Sequence, residues 1–121
     1  MIKILIVEDE ADIREEVMDW LMFEGYEVIG AANGLIGLEM AVQESPDMII
    51  SDLTMPKMNG FQLLTEIRSN PNTNQIPFII LTSAADAASI GKGINLGANT
   101  YLTKPFSHAD VLNTVRSILE S

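Results

Sequence analysis

Four short, largely apolar runs in this chain end in residues that can do chemistry. Glu8 and Asp9 follow Ile2–Val7, Asp52 follows Met48–Ser51, Thr82 follows Phe78–Leu81, and Lys104 comes just after Thr100–Leu102. If the runs are neighbouring strands, three acids, a hydroxyl and a cation converge on one rim. Three carboxylates held together repel: at ~5 Å and an effective dielectric of ~20, each pair costs about 3 kcal/mol before screening. Such a cluster is kept where a cation offsets it, and Lys104 can offset only one charge. An all-oxygen set of a few carboxylates plus water suits Mg²⁺ better than Ca²⁺, with Mn²⁺ as the second candidate. A carboxylate beside such an ion and a lysine can serve as nucleophile toward a phosphoryl group, giving an aspartyl phosphate. Asp52 suits that role because it ends the central run, whereas the adjacent Glu8 and Asp9 suit the holding of metal. Taken singly, each residue is ordinary. An acid after a strand is usually a turn or helix cap, a threonine hydroxyl usually satisfies local backbone, and a lysine before proline is usually solvated. Their joint placement is what carries weight.

The elements that must position these residues alternate in type. Ile2–Val7 is continuous and β-branched, as expected of a strand buried on both faces. Ala11–Glu24 puts Ile13, Val17, Trp20 and Leu21 on one helical face, and Gly25 stops it. Tyr26–Ala31 is a weaker strand, and Asn33-Gly34 opens a helix through Leu38 and Val42 that Ser45-Pro46 closes. Met48–Ser51 is the third strand, Asn59–Ser69 the third helix, and Phe78–Leu81 the fourth strand. Ala84–Leu96 is a poor fourth helix, because Gly91 and Gly93 each cost about 1 kcal/mol against Ala. Thr100–Leu102 is a short fifth strand. Ser107-His108-Ala109-Asp110 is a capping-box start to a helix carrying Val111, Leu112, Val115, Ile118 and Leu119. Strands alternating with helices predict a doubly wound α/β fold of the flavodoxin-like kind: five parallel strands, right-handed crossovers, and helices on both faces. Such sheets commonly run 2-1-3-4-5, with the ligand site where the order reverses, at the carboxyl ends of strands one and three.

Composition bounds the partners. A chain of 121 residues suits one domain, 1–121, and buries roughly two-thirds of its unfolded surface. Seven Lys and Arg against 17 Asp and Glu give a net charge of −10, which repels phosphate backbones and anionic lipid, so no direct nucleic-acid or membrane binding is expected. The absence of cysteine excludes disulfides, zinc–thiolate sites and thiol catalysis, and permits a reducing compartment. The apolar runs fall far short of the ~20 residues of a membrane span, and the start is no signal peptide. A cytoplasmic location is the expectation.

In the order and spacing of its motifs the whole chain resembles the receiver domain of two-component response regulators. The residues that carry the resemblance are Ile6-Val7-Glu8-Asp9-Glu10, the stretch Pro46–Gly60 around Asp52, Ile80-Leu81-Thr82-Ser83-Ala84, Gly97-Ala98-Asn99, and Tyr101-Leu102-Thr103-Lys104-Pro105-Phe106. That family is itself a standard example of the 2-1-3-4-5 order, so the order is not independent of the resemblance. The resemblance implies a phosphorylation-dependent switch rather than an enzyme with an external substrate. Asp52 would be the phosphoacceptor, charged by a sensor histidine kinase or a histidine phosphotransfer protein. Glu8 and Asp9 would position Mg²⁺, joined by Asp52 and the backbone carbonyl of Thr54. Thr82 and Ser83 would meet the phosphoryl group, Thr82 as the switch hydroxyl, and Tyr101 would turn inward when Thr82 moves. Lys104 would pair with the phosphoryl group, its bond to Pro105 being cis. The surface of helix four, strand five and helix five would then change for an output domain, a target protein or a second copy in a phosphorylation-dependent homodimer.

Four positions depart from the family pattern or vary within it. Ser83 stands where Ala or Gly is usual and narrows access. Thr54 and Ala84 offer no carboxylate or amide to orient an attacking water, so very fast self-dephosphorylation is not expected. Asn99 replaces a common Asp with no consequence for mechanism. Trp20 is expected at a helix face or rim, Tyr101 as a half-buried strand aromatic, Met55 and Met58 in loop packing, and Lys57 and His108 at the surface. The alternatives are a pseudo-receiver interaction module and an aspartate-nucleophile phosphohydrolase. The first usually lacks one of the acids, the Thr or the Lys. The second needs an acid at position 54. A flavin-binding module would need a phosphate loop where Glu8–Asp12 instead repels phosphate.

Overall fold

Side chains alternate between the two faces of a strand, and in this chain both sets are apolar. The computed structural model describes residues 1–83 and 87–120. Its elements run β1 (Lys3–Val7), α1 (Ala11–Phe23), β2 (Glu27–Ala31), α2 (Gly34–Glu44), β3 (Met48–Asp52), α3 (Gly60–Ser69), β4 (Phe78–Thr82), α4 (Ala87–Asn95), β5 (Thr100–Thr103) and α5 (His108–Leu119). The strands pair in parallel in the order β2-β1-β3-β4-β5. Ile4, Ile6, Met48, Ile50, Ile79 and Leu81 point to one face, where α1 and α5 cover them with Val17, Leu21, Val111 and Val115. Leu5, Val7, Ile49, Phe78 and Ile80 point to the other, under Ala41 of α2 and Leu63, Leu64 and Ile67 of α3. Burial on both sides explains why β1, β3 and β4 read as unbroken apolar runs. The edge strand β2 is only partly covered and reads as the weaker one.

Local signals agree with these bounds. Asn33 caps α2 by accepting from the Ile36 amide, and full capping boxes open α3 (Asn59 with Gln62) and α5 (Ser107 with Asp110). The sequence-expected start of the fourth helix at Ala84 lies outside the described residues, as does that residue's place beside an attacking water. Trp20 is a rim residue: its ring stacks on His108 at 5.4 Å and meets Phe106 edge-on at 6.3 Å. His108 is thus half-buried rather than a bare surface residue, with Glu24 3.8 Å from its Nε2. Tyr101 is exposed rather than half-buried. Met55 and Met58 pack into the core, while exposed Lys57 adopts φ +69°, a left-handed backbone that the sequence gives no sign of.

Asn99, which had no role in the sequence analysis, has a structural one. Its Oδ1 accepts from the Phe78 amide at 2.9 Å and from Arg68 Nη2 at 3.2 Å. Arg68 also donates to the carbonyls of Asn74, Ile76 and Gly97, fastening the end of α3 to the loops before β4 and β5.

Two glycines test this packing in opposite directions. A Cβ at Gly60 would collide with the backbone of Asp52 and Leu53, whereas one at Gly91 would meet nothing within 4 Å. Gly60→Ala is expected to lose about 1–3 kcal/mol through forced backbone shifts. Gly91→Ala is expected to gain about 0.5–1 kcal/mol by stiffening α4. Urea unfolding followed by Trp20 fluorescence checks both.

Candidate functional site

Parallel pairing places Val7 beside Ser51 and Thr82 beside Thr103, so the residues that follow emerge at one edge of the sheet. The Glu8 amide extends the ladder to the Ala31 carbonyl at 3.0 Å, and the Lys104 amide reaches the Thr82 carbonyl at 2.7 Å. These bonds prolong strand pairing past the strands and hold two site residues by their backbones. Gly60 lets α3 lie directly on the Asp52 carbonyl, closing the far side.

Three carboxylates meet there. Glu8, Asp9 and Asp52 each offer an oxygen within 4.8 Å of the others. Glu8 is fully buried, Asp52 nearly so, and Asp9 is exposed. Lys104 Nζ lies between two of them, 2.9 Å from Glu8 Oε1 and 3.2 Å from Asp52 Oδ2. The remaining oxygens are held by backbone: Glu8 Oε2 accepts from the Glu10 amide at 3.2 Å and Asp52 Oδ1 from the Leu53 amide at 2.8 Å. The Glu8 carbonyl accepts from Arg14 Nη1 at 2.7 Å. Helix α1 starts beside the acids with no side-chain cap, so its positive end faces negative charge.

Burial governs the protons. It pushes the Glu8 carboxyl up to about 7, a shift that the Lys104 hydrogen bond opposes and the Asp52 charge reinforces. Burial would lower Lys104, but its hydrogen bond to Glu8 and the nearby acids outweigh it and hold the ammonium above its usual value. The cluster is therefore short of positive charge and keeps the lysine it has.

A cleft of about 730 Å³ opens over the acids, lined among others by Asp9, Asp52, Thr54, Thr82, Ser83 and Lys104. The structure thus brings together Glu8, Asp9, Asp52 and Lys104, with Thr54, Thr82 and Ser83 on the same cleft. Tyr101 is not among the lining residues; it pairs with Ile80 on β5 and faces outward. The Lys104–Pro105 peptide is cis. Sequence reasoning missed Arg14, Phe61 and Ser89. The last two line the cleft from α3 and α4. Only the position of Phe61 directly after Gly60 could have pointed to it.

Comparison with known proteins agrees with this geometry. The profile of the response regulator receiver domain matches residues 4–116. The DNA-binding dual master transcriptional regulator RpaA of Synechocystis is 38% identical over 119 residues, 98% of this chain and 49% of RpaA. The chain spans about half the length of RpaA and of other curated transcriptional regulators that it matches. Among solved structures, the chemotaxis protein CheY4 of Vibrio cholerae superposes with a TM-score of 0.93 at 35% identity, covering 98% of both chains. The receiver domain of the sensor histidine kinase PA1611 from Pseudomonas aeruginosa, with magnesium coordinated in its active-site cleft, gives 0.91 at 29% identity and 98% of both chains. A matched profile that runs from β1 into α5, on a sheet of the same order, makes this chain a member of the response regulator receiver domain family, the signalling module of two-component systems.

Proposed function

We propose that residues 1–121 act as a phosphorylation switch whose phosphoacceptor is Asp52. The observation that carries the reading is the shared lysine: Lys104 Nζ bridges Glu8 and Asp52 in a cluster of three acids within 4.8 Å. An all-oxygen, partly buried, under-compensated set fits a hard divalent ion, Mg²⁺ or in its place Mn²⁺. Glu8, Asp9, Asp52 and the Thr54 carbonyl would hold it, and when bound it supplies positive charge for the equatorial oxygens of a transferring phosphoryl group.

The chain's own residues do the rest. An Asp52 carboxylate oxygen attacks phosphorus in line; the new O–P bond forms as the P–N bond to a phosphohistidine breaks, and the freed imidazole takes a proton from water. Lys104 orients Asp52 and then gains a richer acceptor in the phosphoryl oxygens. Thr82 and Ser83 stand on the cleft wall with hydroxyl donors for the same group. A shift of Thr82 toward it opens room that the outward ring of Tyr101 can fill, reshaping the surface of α4, β5 and α5. The donor is a histidine kinase or phosphotransfer protein, and the reader an output domain, a target or a second copy of the chain. The charge of −10 leaves DNA contact to other parts of a longer regulator. No helix among the described residues is long and apolar enough to cross a membrane, in keeping with a cytoplasmic place. The pseudo-receiver and phosphohydrolase alternatives are not favoured: acids, lysine and threonine share one cleft, and position 54 is Thr.

Incubation with a small phosphodonor and Mg²⁺ is expected to add one phosphoryl group by intact mass, labile to hydroxylamine. Asp52→Asn is expected to abolish the gain, and Thr82→Ala to keep it while losing the NMR shifts at Tyr101. A wild-type chain that gains nothing overturns the reading.

The Glu8 shift adds a pH dependence to the metal-free protein. A folded-state pKa near 7 against 4.5 unfolded means that the native state binds the proton more tightly. Stability through this group is therefore full below about 4.5 and falls as pH rises toward 7. In chelator, Glu8→Gln is expected to gain on wild type in melting temperature between pH 5.5 and 7.5, and Mg²⁺ is expected to narrow that gap.

A further inference from the structure

Asp9 is the one acid of the cluster whose carboxylate makes no hydrogen bond among the described residues, so the only protein contact that bears on its placement is the one made by its backbone. The planar peptide unit that carries the Asp9 N–H also carries the Glu8 carbonyl, and turning that plane swings the Asp9 side chain. The carbonyl is held by Arg14 Nη1 at 2.7 Å. Arg14 is rooted in the first turn of α1, its own amide bonded to the Glu10 carbonyl at 3.0 Å. Its stem runs over Gly30 of β2, where a Cβ would come within 3.3 Å of Arg14 Cδ and still closer to Met18 Sδ. A guanidinium on α1 thus reaches across a glycine channel to grip the peptide between the two adjacent acids.

Resting on the reading of this rim as a divalent-cation site, we infer that Arg14 is a positioning residue that clamps the Glu8–Asp9 peptide and aims Asp9 at the cation. Loss of Arg14 would change cation affinity in a different direction for each role the residue could play. As a mere charge, Arg14 repels a cation, and its removal would tighten binding, by about twofold once screening is counted. As an orienting partner behind a ligand, its removal weakens binding, typically by about tenfold or more. As a structural residue only, its removal lowers stability and leaves affinity alone.

Calorimetric titration of the whole chain with Mg²⁺ decides among these, alongside the Asp9 amide nitrogen resonance of the metal-free protein. Arg14→Ala is expected to lose about tenfold in Mg²⁺ affinity and to move the Asp9 resonance before any metal is added. Arg14→Lys, which keeps a donor on a stem of similar reach, is expected to recover most of the loss. Arg14→Met, which keeps an apolar stem over Gly30 but no donor, is expected to lose as much as Arg14→Ala and serves if that variant does not fold. Unchanged or tighter affinity in Arg14→Ala, or in Arg14→Met where it stands in, overturns the clamp. A wild-type chain that takes up no Mg²⁺ instead overturns the reading of the rim and the role built on it, while the Asp9 resonance still reports whether Arg14 holds the peptide.

Discussion

Carboxylates that cannot move apart are the constraint on which this domain is organised. Val7 and Ser51 are locked in register on two neighbouring strands and are both fully buried, so Glu8 and Asp52 leave the sheet side by side. At the 4.8 Å spacing of the cluster, each pair of charges costs about 3 kcal/mol at an effective dielectric of ~20. The core that holds the strands is worth far more than that, since each fully buried Ile or Leu contributes roughly 1.5–3 kcal/mol. The repulsion is therefore imposed by packing. Two devices relieve it without a metal: Lys104 divides itself between Glu8 and Asp52, and Glu8 keeps a proton up to near-neutral pH. Both stand where a divalent cation would supply the charge. Glu8, Asp9 and Asp52 would hold such an ion, and its charge would lessen the need for the proton on Glu8 and for Lys104 beside it.

Lys104 is also the link from the rim to the outer surface. Its backbone is tied to the Thr82 carbonyl, and its chain continues from β5, where Tyr101 lies exposed three residues before it. A change in what Nζ binds would thus be felt at the ends of β4 and β5 together, next to the hydroxyls of Thr82 and Ser83 on the cleft wall.

The sheet was legible because burial on both faces leaves β1, β3 and β4 as short unbroken apolar runs, and because Asn33, Asn59 and Ser107 mark helix starts by chemistry that needs no tertiary partner. The acids and Lys104 were legible for the same reason: each follows a strand, and parallel strands must end at one edge. What escaped depends on side chains that reach backbone groups outside their own element. Arg14 and Arg68 carry no local mark of their role, for each is defined by carbonyls at the far end of its side chain, on Glu8 and on Asn74, Ile76 and Gly97. Asn99, just before β5, likewise acts through the Phe78 amide at the start of β4. The outward ring of Tyr101 depends on the space beside it, which no alternation pattern encodes.

Attachment to the sheet is uneven, and that unevenness decides which part can respond. Helix α3 buries Leu63, Leu64 and Ile67 and is fastened by Arg68, so dislodging it would cost about 6 kcal/mol in apolar burial alone. Of the described α4 residues only Gly93 is buried, set against Ile80, and Gly91 faces open space. Swinging an equilibrium from 1:99 to 99:1 takes about 5.5 kcal/mol, and two charge-assisted hydrogen bonds contribute roughly 1.5–3 kcal/mol each. That supply does not exceed the attachment of α3, whereas the described part of α4 buries only one small residue. A charge change at Asp52 would therefore leave in place the wall on which Asp52 itself is built, and would act on the wall opposite, beyond Thr82. The same weakness that makes α4 a poor helix in the sequence places low local stability next to the site, where conformational response is drawn from.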